Sequence, residues 1–119
     1  MLSEEDANRL GEEWIEAWNK HDLDAILSHY SDDVEFVSPF VVRVLGEPSG
    51  TVRGSEALRD YVSRGLLRFP DLHFDLGRAL PGINSVTLYY KSVNDLQAAE
   101  VMELNEEGKI RRVLCHYAA

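Results

Sequence analysis

The sequence predicts an α+β domain in which helices of the N-terminal half pack on one face of a curved, mixed but mainly antiparallel sheet. Three features predict it. Apolar residues recur at helical spacing before residue 31 and again between Gly54 and Phe69. Four strand-like runs separated by turn formers fill the chain from Leu72 onward. One lone strand-like run, Val34 to Ser38, stands between the helical stretches.

The elements follow in order. Ser3 with Asp6 three residues later resembles a capping box, and Leu10, Trp14, Ile15 and Trp18 repeat at helical spacing, so the first helix runs to about Asn19. Beyond the polar break Lys20-His21-Asp22, the residues Leu23, Ile26, Leu27 and Tyr30 mark a short second helix with Asp22 as its N-cap. Ser31-Asp32-Asp33 reads as a turn, and Val34, Phe36 and Ser38 then share one face of the first strand. Gly54-Ser55 opens a third helix with Leu58, Tyr61, Val62 and Leu66 inward, closed by Pro70. Leu72–Leu80, Ser85–Val93, Gln97–Asn105 and Lys109–Tyr117 form a meander through the turns Pro81-Gly82-Ile83-Asn84, Asn94-Asp95 and Glu106-Glu107-Gly108. Pro39 to Arg53 admits two readings. Its β-branched residues around a Pro/Gly-rich break fit a hairpin returning through Thr51-Val52-Arg53, and its apolar half fits a flap over a pocket mouth; the hairpin is the expectation.

The bulk numbers narrow the function classes. A chain of 119 residues makes one domain, 1–119, large enough to bury roughly two thirds of its unfolded surface. No stretch approaches the ~20 apolar residues of a membrane span, and Met1-Leu2-Ser3-Glu4-Glu5-Asp6 is acidic where a targeting peptide would be basic, so a cytoplasmic location is expected. The single Cys115 excludes an intrachain disulfide and reads as a small buried hydrophobe. A formal charge of -9, with Arg111-Arg112 the sole adjacent basic pair, argues against nucleic acid as a partner.

Several stretches carry a family likeness: the Trp-containing first helix, Asn19-Lys20-His21-Asp22-Leu23-Asp24-Ala25-Ile26, Tyr30-Ser31-Asp32-Asp33-Val34, Ser38-Pro39-Phe40, Arg53-Gly54-Ser55-Glu56-Ala57-Leu58, Phe69-Pro70-Asp71-Leu72-His73-Phe74 and Glu106-Glu107-Gly108-Lys109-Ile110. In that order they resemble the SnoaL-like, ketosteroid isomerase-like branch of the nuclear transport factor 2-like superfamily. The resemblance implies a cystatin-like cone: three helices closing a strongly bent sheet around an apolar pocket, with dimerisation through the outer sheet face. It implies no single activity, because the family holds isomerases, dehydratases, cyclases, epoxide hydrolases and members without known activity.

The same resemblance assigns roles to positions. The isomerase's general base, an Asp before Pro-Phe, falls on Ser38, which has no base beside it and cannot take a proton from carbon near neutral pH. The oxyanion-hole Tyr falls on Trp14, a weaker donor. The protonated Asp falls on Glu100, the one group retained in kind. If Ala98, Glu100 and Met102 face inward, the Glu100 carboxyl enters the cavity and desolvation raises its pKa; a slip of one residue would instead bury Glu103. Glu100 and Tyr117 are therefore the candidate catalytic pair, with Tyr117 as the expected hydrogen-bond partner. Trp14, Trp18, Tyr30, Phe36, Ser38, Phe40, Tyr61, Phe69, Leu88, Tyr90, Met102, Val113 and Cys115 are the candidate walls of a hydrophobic small-molecule site, the alternative being a fully packed core. His73 and Asp75 could form a base with its orienting carboxylate, His116 should face outward, and His21 and His29 belong at helix ends. No histidine cluster has metal-ligand spacing, so neither metal nor cofactor is expected. An enzyme, a dimeric ligand-binding module and a protein-interaction domain remain as alternatives.

Overall fold

The computed structural model describes residues 1–119. The N-terminal helices follow the sequence signals closely. Helix α1 spans Glu4–Asn19, and Ser3 caps it by accepting the Asp6 amide at 3.0 Å. Helix α2, Leu23–Leu27, is capped by Asp22 through the Ala25 amide at 3.1 Å.

Strand β1 covers Tyr30–Val37, so Ser31-Asp32-Asp33 is strand and not the expected turn. The ladder to the last strand shifts register between Tyr30 and Glu35, and that irregularity absorbs the polar residues without ending the strand.

The 39–53 segment departs from the hairpin reading. Phe40 to Leu45 is not a strand: Pro39–Leu45 is a short helix, α3, and Thr51–Arg53 alone returns as β2 against β1. Local chemistry outweighs the β-branched composition here. Ser38 accepts the Phe40 amide at 3.1 Å, Pro39 is pre-set for the first helical turn, and Gly46 ends the helix at φ +69°, where a Cβ would be strained.

Helix α4, Ser55–Arg68, precedes the meander β3 (Asp75–Pro81), β4 (Ser85–Lys91), β5 (Gln97–Leu104) and β6 (Ile110–Ala118). The sheet order is β2-β1-β6-β5-β4-β3, antiparallel except where β1 and β6 run parallel. The predicted α+β architecture of three main helices on a mixed sheet therefore holds, with α3 added.

The two sheet faces differ. Inward stand Val86, Leu88 and Tyr90 from β4, Ala98, Glu100 and Met102 from β5, and Val113 and Cys115 from β6, all buried against the helices. Gly11 lets α1 press onto this layer, since a Cβ there would lie 3.1 Å from Leu88. Outward, the register lines residues up in transverse rows. Arg53, Glu35, Arg112 and Glu103 form a charged row of ion pairs, and Thr51, Val37, Leu114, Val101, Thr87 and Leu80 form a mostly apolar row beside it.

Candidate active site

The β5 register decides the position of Glu100: its side chain points inward and is 2% exposed. Leu88 and Cys115 stand directly opposite it on the neighbouring strands. Tyr90 and Tyr117 both lie opposite Ala98, which places them diagonally from Glu100 on either side. The Tyr90 hydroxyl, not that of Tyr117, donates to Glu100 Oε1 at 2.7 Å. Glu100 Oε2 is buried without a hydrogen-bond partner.

This environment sets the protonation states. Burial pushes the Glu100 carboxyl up to about 7, against the opposing pull of the Tyr90 hydrogen bond and of the Cys115 thiol directly across the ladder. Burial likewise raises the hydroxyls of Tyr30, Tyr61, Tyr90 and Tyr117 and the Cys115 thiol. Those phenols stay neutral hydrogen-bonding groups, and Cys115 is no thiolate nucleophile near neutral pH.

A cavity of about 50 Å³ adjoins the carboxyl. Its buried walls include Trp14, Trp18, Phe36, Tyr61, Phe74 and Tyr90, and its half-exposed rim is Val44, Gly65, Phe69, Val93 and Tyr117. The volume holds a few waters and falls well below the roughly 300 Å³ at which ligand pockets begin, so a larger occupant must displace rim side chains. Phe40 stands edge-on to both Phe69, centroids 5.7 Å apart, and Tyr117, 4.8 Å apart, and holds that rim together.

Not every expected wall residue reaches the cavity. Trp14, Trp18, Phe36, Phe40, Tyr61, Phe69, Tyr90, Glu100 and Tyr117 line it. Tyr30, Ser38, Leu88, Met102, Val113 and Cys115 are buried but do not. Part of the expected pocket is packed core, as Gly11 against Leu88 illustrates. Val44, Gly65, Leu72, Phe74, Ser92 and Val93 line the cavity without having been singled out in the sequence, and Val62, expected only to face inward from its helix, lines it too. Leu72 and Phe74 were within reach of sequence reasoning, because alternation puts them on the face opposite His73.

The polar groups are largely committed. Trp14 donates its indole N–H to the Tyr30 hydroxyl at 2.9 Å, so the position equivalent to the oxyanion donor contributes its ring alone. Ser38 Oγ caps α3. Trp18 Nε1 is buried without a partner; the Tyr30 hydroxyl is nearby, but the geometry favours Trp14. His73 and Asp75 pair at 3.2 Å on the surface, outside this cavity. His116 faces outward toward the Ala99 carbonyl, and His21 bonds the Leu72 carbonyl at 2.8 Å.

A SnoaL-like domain model matches residues 12–113. The chain belongs to the SnoaL-like family. A SnoaL-like protein of unknown function from Burkholderia thailandensis is 43% identical, with a TM-score of 0.91 over 95% of this chain and 94% of that one. At the level of fold alone, this SnoaL-like chain is also similar to an NTF2-like protein of unknown function from Cytophaga hutchinsonii, with 16% identity, a TM-score of 0.72 and coverage of 99% and 92%. It is similar again to SalBIII, an epoxide hydrolase/cyclase-like enzyme in pyran ring formation in salinomycin, with 19% identity, a TM-score of 0.76 and coverage of 99% and 95%. Comparison with curated protein sequences yields no match.

Within this SnoaL-like frame, the site couples one carboxyl able to hold or release a proton near neutral pH to an apolar cavity. No lysine or arginine lines that cavity.

Proposed function

We propose that this SnoaL-like domain is an enzyme acting on a hydrophobic small molecule by acid/base chemistry at Glu100, an isomerisation, dehydration, cyclisation or hydrolysis that uses no cofactor. The observation that carries the reading is the buried Glu100 carboxyl: one oxygen is held by Tyr90, the other has no partner, and the pKa is about 7. A group with that pKa is divided between acid and base forms near pH 7, the condition for efficient proton transfer in either direction. Tyr117, at the rim and neutral, serves as a second hydroxyl toward the substrate. The epoxide hydrolase/cyclase-like activity named for SalBIII belongs to the same range of chemistry, and the likeness of fold supports the reading without specifying the reaction.

The chain works as a homodimer joined through the outer sheet face, where the apolar row of Val37, Leu114 and Val101 offers half-buried surface for a second copy. Neither a membrane nor nucleic acid is a partner, and the protein is cytoplasmic.

The test is Glu100→Gln, which keeps the shape and the Tyr90 contact but removes the titrating proton. Turnover of any substrate converted by the wild type should be abolished. Unchanged turnover would eliminate the assignment, as would a carbon-detected titration placing the Glu100 carboxyl near 4.5.

A second reading has its own support. Ser38 occupies the base position but serves as a helix cap, and Trp14 has its donor engaged, which suits a ligand-binding module without turnover. That reading expects a bound hydrophobe to be recovered unchanged after long incubation, and conversion of the ligand sinks it.

A further inference from the structure

Two buried polar atoms on side chains that line the cavity have no hydrogen-bond partner: Glu100 Oε2 and Trp18 Nε1. Both side chains are more than nine-tenths buried, at 2% and 7% exposed. An unpaired buried polar group is costly, so two on the side chains around one small cavity mark a place where something else completes the bonding. Water can do so, since the cavity has room for it.

The chemistry of the pair restricts what replaces that water. An indole N–H donates and cannot accept, so its partner must carry an acceptor. Glu100 Oε2 donates when the carboxyl is protonated. No cation lines the cavity, so an anionic ligand would meet an apolar wall and another acid with nothing to balance its charge. A protonated amine would pair with Glu100 but turn a donor toward Trp18. A neutral oxygen on an apolar skeleton satisfies the indole without adding charge. Trp14 cannot substitute for Trp18, because its N–H is engaged by Tyr30 at 2.9 Å.

We propose that Trp18 is the second polar anchor of the site, donating its indole N–H to a neutral carbonyl or ether oxygen on an otherwise apolar ligand held beside Glu100. The assignment rests on the small-molecule reading above and adds to it the ligand's functional group and the residue that orients it.

The sequence contains two tryptophans, so the indole region of a nitrogen-15 proton spectrum holds two side-chain signals, and Trp18→Phe assigns them. The probes are cyclohexanone and methylenecyclohexane, which share size and shape and differ in the oxygen. Cyclohexanone should move the Trp18 indole signal downfield and leave that of Trp14 in place, and methylenecyclohexane should move neither comparably. Trp18→Phe should weaken cyclohexanone binding roughly three- to tenfold more than it changes methylenecyclohexane binding. Failure of cyclohexanone to bind the wild type overturns the proposal, as do equal shifts from both probes or an equal loss of both in the variant. The wild-type shifts decide the matter even if the variant misfolds. A Glu100 carboxyl titrating near 4.5 together with a ketone-specific Trp18 shift would remove the acid/base reading and keep the anchor; titration near 7 without that shift would do the reverse.

Discussion

Glu100 sits where a neutral carboxyl is favoured over an ionised one, and that preference has a measurable cost. Its folded pKa of about 7 lies above the 4.5 of an unperturbed side chain, so between those values the folded state binds more protons than the unfolded chain. Stability from this group is therefore fully present below pH 4.5, falls as pH rises to 7, and is flat above. The size is about 3 kcal/mol, from ~1.4 kcal/mol per pKa unit. His29 acts in the opposite sense. Burial lowers its pKa, so it costs stability as pH falls below 6.5. The informative quantity is thus the difference between wild type and Glu100→Gln. In urea denaturation the variant should gain on the wild type by about 3 kcal/mol between pH 4 and pH 8. A constant difference across that range would mean that the carboxyl is not desolvated. The inward placement of Glu100 was legible from the alternation of Ala98, Glu100 and Met102, but its partner was not. Tyr90 and Tyr117 occupy equivalent diagonals, and only side-chain packing separates them.

At the scale of elements, α3 is the piece whose sequence gave the weakest warning. Val41, Val42 and Val44 favour a strand on intrinsic preference, yet they sit in a helix because Ser38, Pro39 and Gly46 supply cap, first turn and stop within nine residues. Those punctuation residues were readable; their dominance over composition was not, because it depends on Phe40 finding Phe69 and Tyr117 to pack against. Ser38→Ala should cost about 1 kcal/mol as a lost cap. Phe40→Ala should cost about 3 kcal/mol, and by loosening the rim it should raise the fluorescence of a bound hydrophobic dye in the native state. Equal losses in the two variants, with no added dye binding, would show that α3 does not seal the cavity. The helices at 4–19 and 55–68 were legible almost to the residue, since each pairs strong periodicity with clear boundary residues. The cavity was legible less well, because periodicity assigns a face but not the depth at which a side chain stops meeting its neighbours. Leu88 and Met102 share the inward face with Glu100 and are packed solid.

Across the whole molecule, the register sorts the outer sheet face into a charged row and an apolar one. Solvent-screened ion pairs such as Arg112–Glu103 add little to stability and suit specificity of approach better than cohesion. Val101, midway along the apolar row, is the position at which the proposed self-association is most open to attack. Val101→Glu should convert a dimer to a monomer in light scattering without altering the fold, and a wild type that is already monomeric removes the outer-face interface. The sheet order carries a consequence of another kind. Strand β6 lies between β1 and β5, so the two halves of the sheet share no ladder until residues 110–118 are available. During synthesis, α1 through β5 emerge first and must wait with a split sheet. Only when β6 slots into the gap does Cys115 come alongside Glu100 and Tyr117 reach the rim. The site is thus the last thing this domain completes, and a ribosome stalled shortly before β6 would hold a nascent domain with no enclosed carboxyl.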